Sequence, residues 1–104
     1  MLDKALTDSI VERIVKELPC KLIMISDSID KDEDGNDNIY ILVVTDSGYP
    51  KHQSGFVVYL AVKDVVKPKD TVILDSWEFE RRSKEEGTYV KGIISSGEVV
   101  YRSK

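Results

Sequence analysis

The sequence has a single cysteine and no long apolar segment. Cys20 is the only cysteine among 104 residues, so an intrachain disulfide is excluded. No apolar run approaches the ~20 residues that a membrane-spanning helix needs. The first residues, Met1-Leu2-Asp3-Lys4, carry no signal-peptide pattern. Together these absences predict a cytoplasmic protein with no membrane contact.

Basic residues are in the minority as well. The chain has 15 lysines and arginines against 19 acids, for a net charge of −4. Nucleic-acid-binding surfaces usually carry an excess of basic residues, so no nucleic-acid ligand is expected. His52 is the only histidine and lies in a polar segment, with no nucleophile in an evident relation to it. A catalytic or ligand role for His52 is therefore not expected.

The residues that are present fit one globular domain over residues 1–104. The hydrophobic content is 41% and the charged content is 33%. The apolar residues fall in periodic blocks, which argues against disorder. A chain of this length has room for one core and not for a second.

Hydrophobic periodicity predicts four helices and four strands. Leu6, Ile10 and Ile14 share one helical face, and Pro19 ends that helix. The segment 56–66 fits both a helical stripe and a strand, and we interpret it as a helix that follows a loop at 45–54. The predicted order is helix 2–18, strand 21–26, strand 39–44, helix 56–66, strand 70–74, helix 76–82, helix 88–96 and strand 99–101.

This order predicts an α/β (α+β) fold, in which helices pack on a small mixed sheet of about four strands. The continuous apolar run at 39–44 favours a position inside the sheet. Asp75 and Glu78 have the spacing of a capping box that opens the third helix. Gly97 is expected to stop the last helix.

The segment between the first two strands is strongly acidic. Lys31 is its only basic residue. The six acids are Asp27, Asp30, Asp32, Glu33, Asp34 and Asp37.

Two stretches resemble the minimal nucleotidyltransferase family, relatives of the DNA polymerase beta palm domain. Residues 70–101 read as a strand, Glu78-Phe79-Glu80, a charged turn, a helix and the ending Gly97-Glu98-Val99-Val100-Tyr101. Residues 21–44 match the strand–loop–strand core of the family without a gap. The two stretches cover about two thirds of the chain, and their combination is more specific than either motif alone. The resemblance implies a nucleotidyltransferase-like fold.

The chemistry of that family needs a phosphate loop and a metal site. A Gly-Ser pair after the first strand cradles the nucleotide phosphates with backbone N–H groups. An Asp-x-Asp pair opening the second strand holds Mg²⁺, and a third aspartate on a later strand completes the site.

This chain departs from the family at both places. Only the third carboxylate, Asp70, is retained, and one acid cannot hold two Mg²⁺ ions. Asp27 would also repel a triphosphate. The chain is therefore expected to have no catalytic residue, no bound metal and no nucleotidyl transfer activity. The departures fall at the phosphate-loop positions Ser26, Asp27 and Lys31 and at the metal positions Asn38 and Tyr40.

The acidic segment allows a second interpretation, because Asp30, Asp32 and Asp34 precede Gly35 in the pattern D-x-D-x-D-G of a calcium loop. The twelfth position would be a glutamate in an EF-hand, and here it is Ile41. A calcium site of another kind, a solvated acidic turn and a docking loop for a basic partner stay open.

Three functions follow as expectations. The first is an inactive nucleotidyltransferase-like domain that acts through protein contacts. The resemblance implies a helical HEPN-type partner, as for the antitoxin of a toxin–antitoxin pair, with a homo-oligomer as a second option. The second is an active Mg²⁺-dependent nucleotidyltransferase that combines Asp70 with Asp27 or Asp37. The third is a calcium-binding module.

Overall fold

The computed structural model describes residues 3–27, 29–31, 33–45, 51–64, 69–85 and 89–103. It confirms the predicted α+β class with a four-stranded mixed sheet. Within the described ranges, no helix is long and apolar enough to cross a membrane. The elements are α1 (Lys4–Glu17), β1 (Cys20–Ser26), β2 (Ile39–Thr45), α2 (Lys51–Val62), β3 (Lys69–Asp75), α3 (Ser76–Arg82), α4 (Tyr89–Ser96) and β4 (Glu98–Arg102).

The sheet has the strand order β3-β2-β1-β4. Strand β1 runs antiparallel to both β2 and β4, whereas β2 and β3 are parallel. The end of β1 and the beginnings of β2 and β3 therefore lie at the same end of the sheet. The candidate site lies at that end.

Helices cover both faces of the sheet. All seven residues of β2 are buried, which confirms its predicted interior position. On one face, α1 and α2 pack on Ile23, Ile41 and their neighbours. On the other face, α3 and α4 pack on Met24 and Leu42. Alternate strand residues thus enter two separate hydrophobic clusters.

Two of the helices begin after an aspartate whose side chain forms the N-cap. The Asp3 carboxylate accepts a hydrogen bond from the Ala5 N–H at 2.9 Å at the start of α1. At α3, the Glu78 N–H donates to Asp75 Oδ1 at 2.7 Å, and the Glu78 side chain accepts from the Asp75 N–H at 3.5 Å. This reciprocal pair confirms the predicted capping box.

Helix α2 begins earlier than the sequence predicted. Residues 45–54 were expected to form a loop, yet Thr45 belongs to β2 and α2 begins at Lys51. The parallel pairing of β2 with β3 requires a crossover connection, and a helix is the usual one. Val58 and Val62, one helical turn apart, are both buried against the sheet, which explains helix rather than strand. Residues 46–50 and 65–66 lie outside the described part of the chain.

Candidate functional site

Three of the predicted site residues form a row across the sheet. Ser26 of β1 pairs with Tyr40 of β2, and Tyr40 pairs with Asp70 of β3. Directly opposed residues share a face of the sheet, and neighbouring strands are about 4.8 Å apart. The fold therefore brings Ser26, Tyr40 and Asp70 together, although 44 residue numbers separate Ser26 from Asp70.

Asn38 and Tyr40, the residues at the two predicted metal positions, are hydrogen-bond donors in the structure. The Asn38 side-chain amide donates to Asp30 Oδ1 at 2.6 Å, and the Tyr40 hydroxyl donates to Asp30 Oδ2 at 2.6 Å. The backbone N–H of Asn38 also donates to the Asp30 carbonyl oxygen at 3.2 Å. Both carboxylate oxygens of Asp30 thus have a donor from β2 or the residue before it.

These contacts act on the charge of Asp30. The hydrogen bond from Tyr40, followed by that from Asn38, lowers the pKa of the Asp30 carboxyl below its usual value. Asp30 is exposed, and it remains ionised at neutral pH. Tyr40 itself is buried, with 5% of its surface exposed, so its hydroxyl needs the partner that Asp30 supplies.

Two residues of the acidic segment pair across the predicted loop. Lys31 and Asp37 form an isolated antiparallel bridge, and their side chains form an ion pair. Gly35, with a φ of 85°, turns the chain between them. Residues 30–31 and 33–38 therefore form a short hairpin beyond the β1–β2 pairing, which we call the acidic hairpin, because the bridge and the ion pair offset the repulsion among its acids.

Two residues at the predicted phosphate-loop positions, Ser26 and Lys31, also have partners within the chain. Ser26 is fully buried, and its hydroxyl is hydrogen-bonded to the Ser96 hydroxyl at 2.7 Å. Ser96 in turn donates to the Gly92 carbonyl oxygen at 2.7 Å within α4. Asp27 follows Ser26 and is half-buried, while Lys31 is paired with Asp37. The hydrogen bond between Ser26 and Ser96 thus holds the end of β1 against α4.

Asp30 has side-chain contacts that the sequence did not predict. The D-x-D-x-D-G pattern placed it with Asp32 and Asp34 as a candidate cation ligand, whereas the structure joins it to Asn38 and Tyr40. No sequence signal links a loop residue to side chains eight and ten positions later. Asp34 is exposed, and Asp32 lies outside the described residues.

Asp70 is exposed at the start of β3, beside Tyr40 in the strand register. Among the described residues, no group of three or more acidic, histidine or cysteine side chains is arranged to hold a metal ion. His52 lies in the first turn of α2. The site thus consists of a row of one serine, one tyrosine and one aspartate, and the tyrosine of this row donates a hydrogen bond to Asp30.

Comparison with known proteins returns no match for this chain, whether with family models, with curated proteins or with solved structures.

Proposed function

We propose that this chain is a catalytically inactive nucleotidyltransferase-like domain that acts through contacts with another protein. The observation that carries the proposal is the pair of hydrogen bonds that Asn38 and Tyr40 donate to Asp30. Asn38 and Tyr40 stand at the two positions that hold the catalytic metal in the family that the chain resembles. The row formed by Ser26, Tyr40 and Asp70 supports the part of the proposal that concerns the nucleotidyltransferase-like fold.

The chemistry of these donors opposes metal binding. Mg²⁺ needs oxygen lone pairs in near-octahedral geometry. The Asn38 amide and the Tyr40 hydroxyl instead direct hydrogens into the site. A cation at Asp30 would compete with two hydrogen bonds to an ionised group for the same carboxylate oxygens. Asp27 adds a negative charge where a triphosphate would lie.

Restoring the two carboxylates is expected to restore metal binding. In the double variant Asn38→Asp/Tyr40→Asp, residues 38 and 40 would stand beside Asp70 as the family pattern requires. We expect Mg²⁺ at 100 times its Kd to stabilise this variant by about 2.7 kcal/mol. The unaltered protein should show no Mg²⁺-dependent change in melting temperature. Each protein is compared with itself with and without Mg²⁺, because the loss of buried Tyr40 lowers stability in both conditions.

The matched control is Asn36→Asp, which adds an acid to the exposed hairpin and no ligand at the two metal positions. It should respond to Mg²⁺ as the unaltered protein does. Calorimetric heat from a nucleoside triphosphate with Mg²⁺ and the unaltered protein would overturn the inactive assignment and support the active alternative. A rise in melting temperature with Ca²⁺ alone would support the calcium module instead.

The partner that the resemblance implies is a helical protein of HEPN type, and the acidic hairpin predicts a basic surface on it. We expect Glu33→Gln/Asp34→Asn to weaken the complex by about three- to tenfold, because exposed ion pairs contribute about 0.2–1 kcal/mol each. The measurement is co-purification from the native host, followed by titration of the identified partner at low and high salt.

The control for that experiment is Glu12→Gln/Glu98→Gln, which removes the same charge from exposed positions on α1 and β4. It should leave the affinity unchanged. Equal weakening by both double variants would show that only net charge matters. A chain that elutes alone from its host under all salt conditions would contradict the proposed interaction role.

A further inference from the structure

A cavity of about 280 Å³ lies at the end of the sheet opposite to the Asp30 hydrogen bonds. Residues from the beginning of β1, the ends of β2 and β4 and the first part of α3 line it, and we call it the α3 cavity. Its volume is close to the lower end of the roughly 300–1,000 Å³ range of pockets that bind small molecules. A fitting occupant is therefore a small molecule and not a folded partner.

Strands β1, β2 and β4 form the floor of the α3 cavity. Leu22 pairs with Val44 on one side and with Arg102 on the other, so these three residues share one face of the sheet. The register of β1 with β2 shifts next to Leu22, which leaves Lys21 without an opposite residue on β2. A β-bulge of this kind re-aims a side chain, and Lys21 lines the cavity although it is adjacent to Leu22 in sequence. Two basic residues thus border an apolar floor.

Helix α3 forms the wall of the cavity. Ser76, Phe79 and Glu80 line it, and their spacing of i, i+3 and i+4 places them on one side of the helix. Phe79 and Leu22 pack against the same hydrophobic cluster, so the apolar wall continues into the apolar floor. Glu80 is exposed and adds one negative charge.

The hydroxyl of Ser76 is buried and has no hydrogen-bond partner among the described residues. Native proteins satisfy the large majority of their buried polar groups, and an unsatisfied group lowers stability. The serine side chain has one torsion with three staggered positions, and Ser76 lines the α3 cavity. A rotation about that torsion would let the hydroxyl donate to an acceptor atom in the cavity. The unpartnered hydroxyl therefore indicates a ligand that carries an oxygen acceptor.

The charge around the cavity favours an anion. Lys21, Arg102 and Glu80 are all exposed, and in the described part of the chain none of the three forms an ion pair. Two bases and one acid leave a single excess positive charge, which favours a monoanion over a doubly charged phosphate. The guanidinium of an arginine binds a carboxylate through two parallel hydrogen bonds. A carboxylate is therefore the anion that this set of groups fits best.

We propose that the α3 cavity binds a small organic carboxylate with an apolar body. Arg102 and Lys21 bind the carboxylate from the sheet, and the Ser76 hydroxyl donates a hydrogen bond to it from α3. The apolar body of the ligand lies between Leu22 and Phe79. This site does not depend on the function proposed above, because the predicted metal positions and the acidic hairpin lie at the other end of the sheet.

The test is a titration of the unaltered protein with phenylacetate, followed by the backbone amide signals in heteronuclear NMR spectra. The signals of Leu22, Val44 and Ser76 should move in a saturable manner, with a Kd of about 0.1–1 mM for a ligand of this size. Phenylacetamide has the same shape without the charge, and acetate has the charge without the apolar body. Both should bind at least about tenfold more weakly than phenylacetate.

Substitution of the charged residues tests the recognition of the carboxylate. Arg102→Gln should raise the Kd for phenylacetate about tenfold and Lys21→Gln about three- to fivefold, because a bidentate arginine contributes more than an exposed lysine. Glu80→Gln should lower the Kd about two- to threefold, since it removes a repelling charge. The matched control is Lys63→Gln, which removes a positive charge directly after α2 on the opposite face of the sheet and should leave the Kd unchanged. The same spectra show that each variant is folded.

Ser76→Ala separates a binding role from a structural one. It should raise the melting temperature of the unliganded protein by about 2–5 °C, because the unsatisfied hydroxyl is removed. It should also raise the Kd for phenylacetate about three- to tenfold, because a hydrogen bond to a charged group is lost. A serine with a purely structural role would not stabilise the free protein and bind the ligand more weakly when it is replaced by alanine.

Three results would overturn the site. The first is the absence of saturable shifts with phenylacetate at about 10 mM, ten times the highest expected Kd. The second is binding of phenylacetamide or acetate that is as tight as that of phenylacetate. The third is a Kd that Arg102→Gln leaves unchanged. None of these measurements involves Mg²⁺ or the acidic hairpin, so the two proposals fail separately.

Discussion

Replacing Ile41 by alanine is expected to lower the free energy of unfolding by about 3–5 kcal/mol. Ile41 is fully buried in the middle of β2, between Ile25 on β1 and Thr71 on β3. The strands on either side hold the backbone in place, so the space left by three carbon atoms cannot close. The cost therefore includes the lost transfer energy and the cavity. Since domains of this size are stable by about 5–15 kcal/mol, the substitution removes about a fifth of that stability or more.

Urea denaturation at a fixed protein concentration measures this effect, because self-association would make stability depend on concentration. Ile41→Val, which removes one methylene from the same place, should cost about 0.5–1.5 kcal/mol. Val99→Ala, at a position that is 45% exposed on β4, should stay within about 0.5 kcal/mol of the unaltered protein. A cost below 1.5 kcal/mol for Ile41→Ala would contradict the central position of β2 in the sheet.

Gly97→Ala is expected to destabilise the protein by about 2–3 kcal/mol. Gly97 is the single residue between α4 and β4, and its N–H donates to the Ile93 carbonyl oxygen at 2.7 Å. A Cβ atom at this position would lie 2.5 Å from that oxygen and 2.9 Å from the Ile25 carbonyl oxygen. Both are backbone atoms, so the end of α4 must move away from β1 or the hydrogen bond must break.

The matched substitution is Gly55→Ala in α2, where a Cβ atom would meet nothing within 4 Å. Alanine there should raise stability by about 0.4–1 kcal/mol, since it removes the entropy cost of a helical glycine. Thermal unfolding of the two variants should therefore shift in opposite directions. Equal shifts of the same sign would show that the close approach at Gly97 does not limit its side chain.

A glycine at a turn or helix end can be required for either of two physical reasons, and Gly97 shows which one applies here. The sequence indicated a helix stop, which is often a residue of left-handed conformation. In the structure, Gly35 has a positive φ, and Gly97 is required instead by close approach of backbone oxygens. The position of the helix end was predicted correctly. Its cause depends on where β1 passes, and local sequence contains no such information.

Three of the helices show the same division between local sequence and tertiary structure. The apolar repeat of α1 and the Asp75–Glu78 pair of α3 act over three or four residues, so pattern alone was sufficient to predict them. Helix α2 has apolar residues on every side, which is why 56–66 fitted a strand as well. Only the parallel crossover from β2 to β3 selects the helix and exposes its outer face.

The sequence by itself determined the class of fold and the buried strands, because these depend on local periodicity and on residue identity at each position. The tertiary structure alone decided that Asp30 binds Asn38 and Tyr40, that Ser26, Tyr40 and Asp70 share one row, and that Phe56 and Tyr59 on α2 are exposed. The physical reason is that these contacts join residues far apart in the chain, and strand register and helix crossover bring them together.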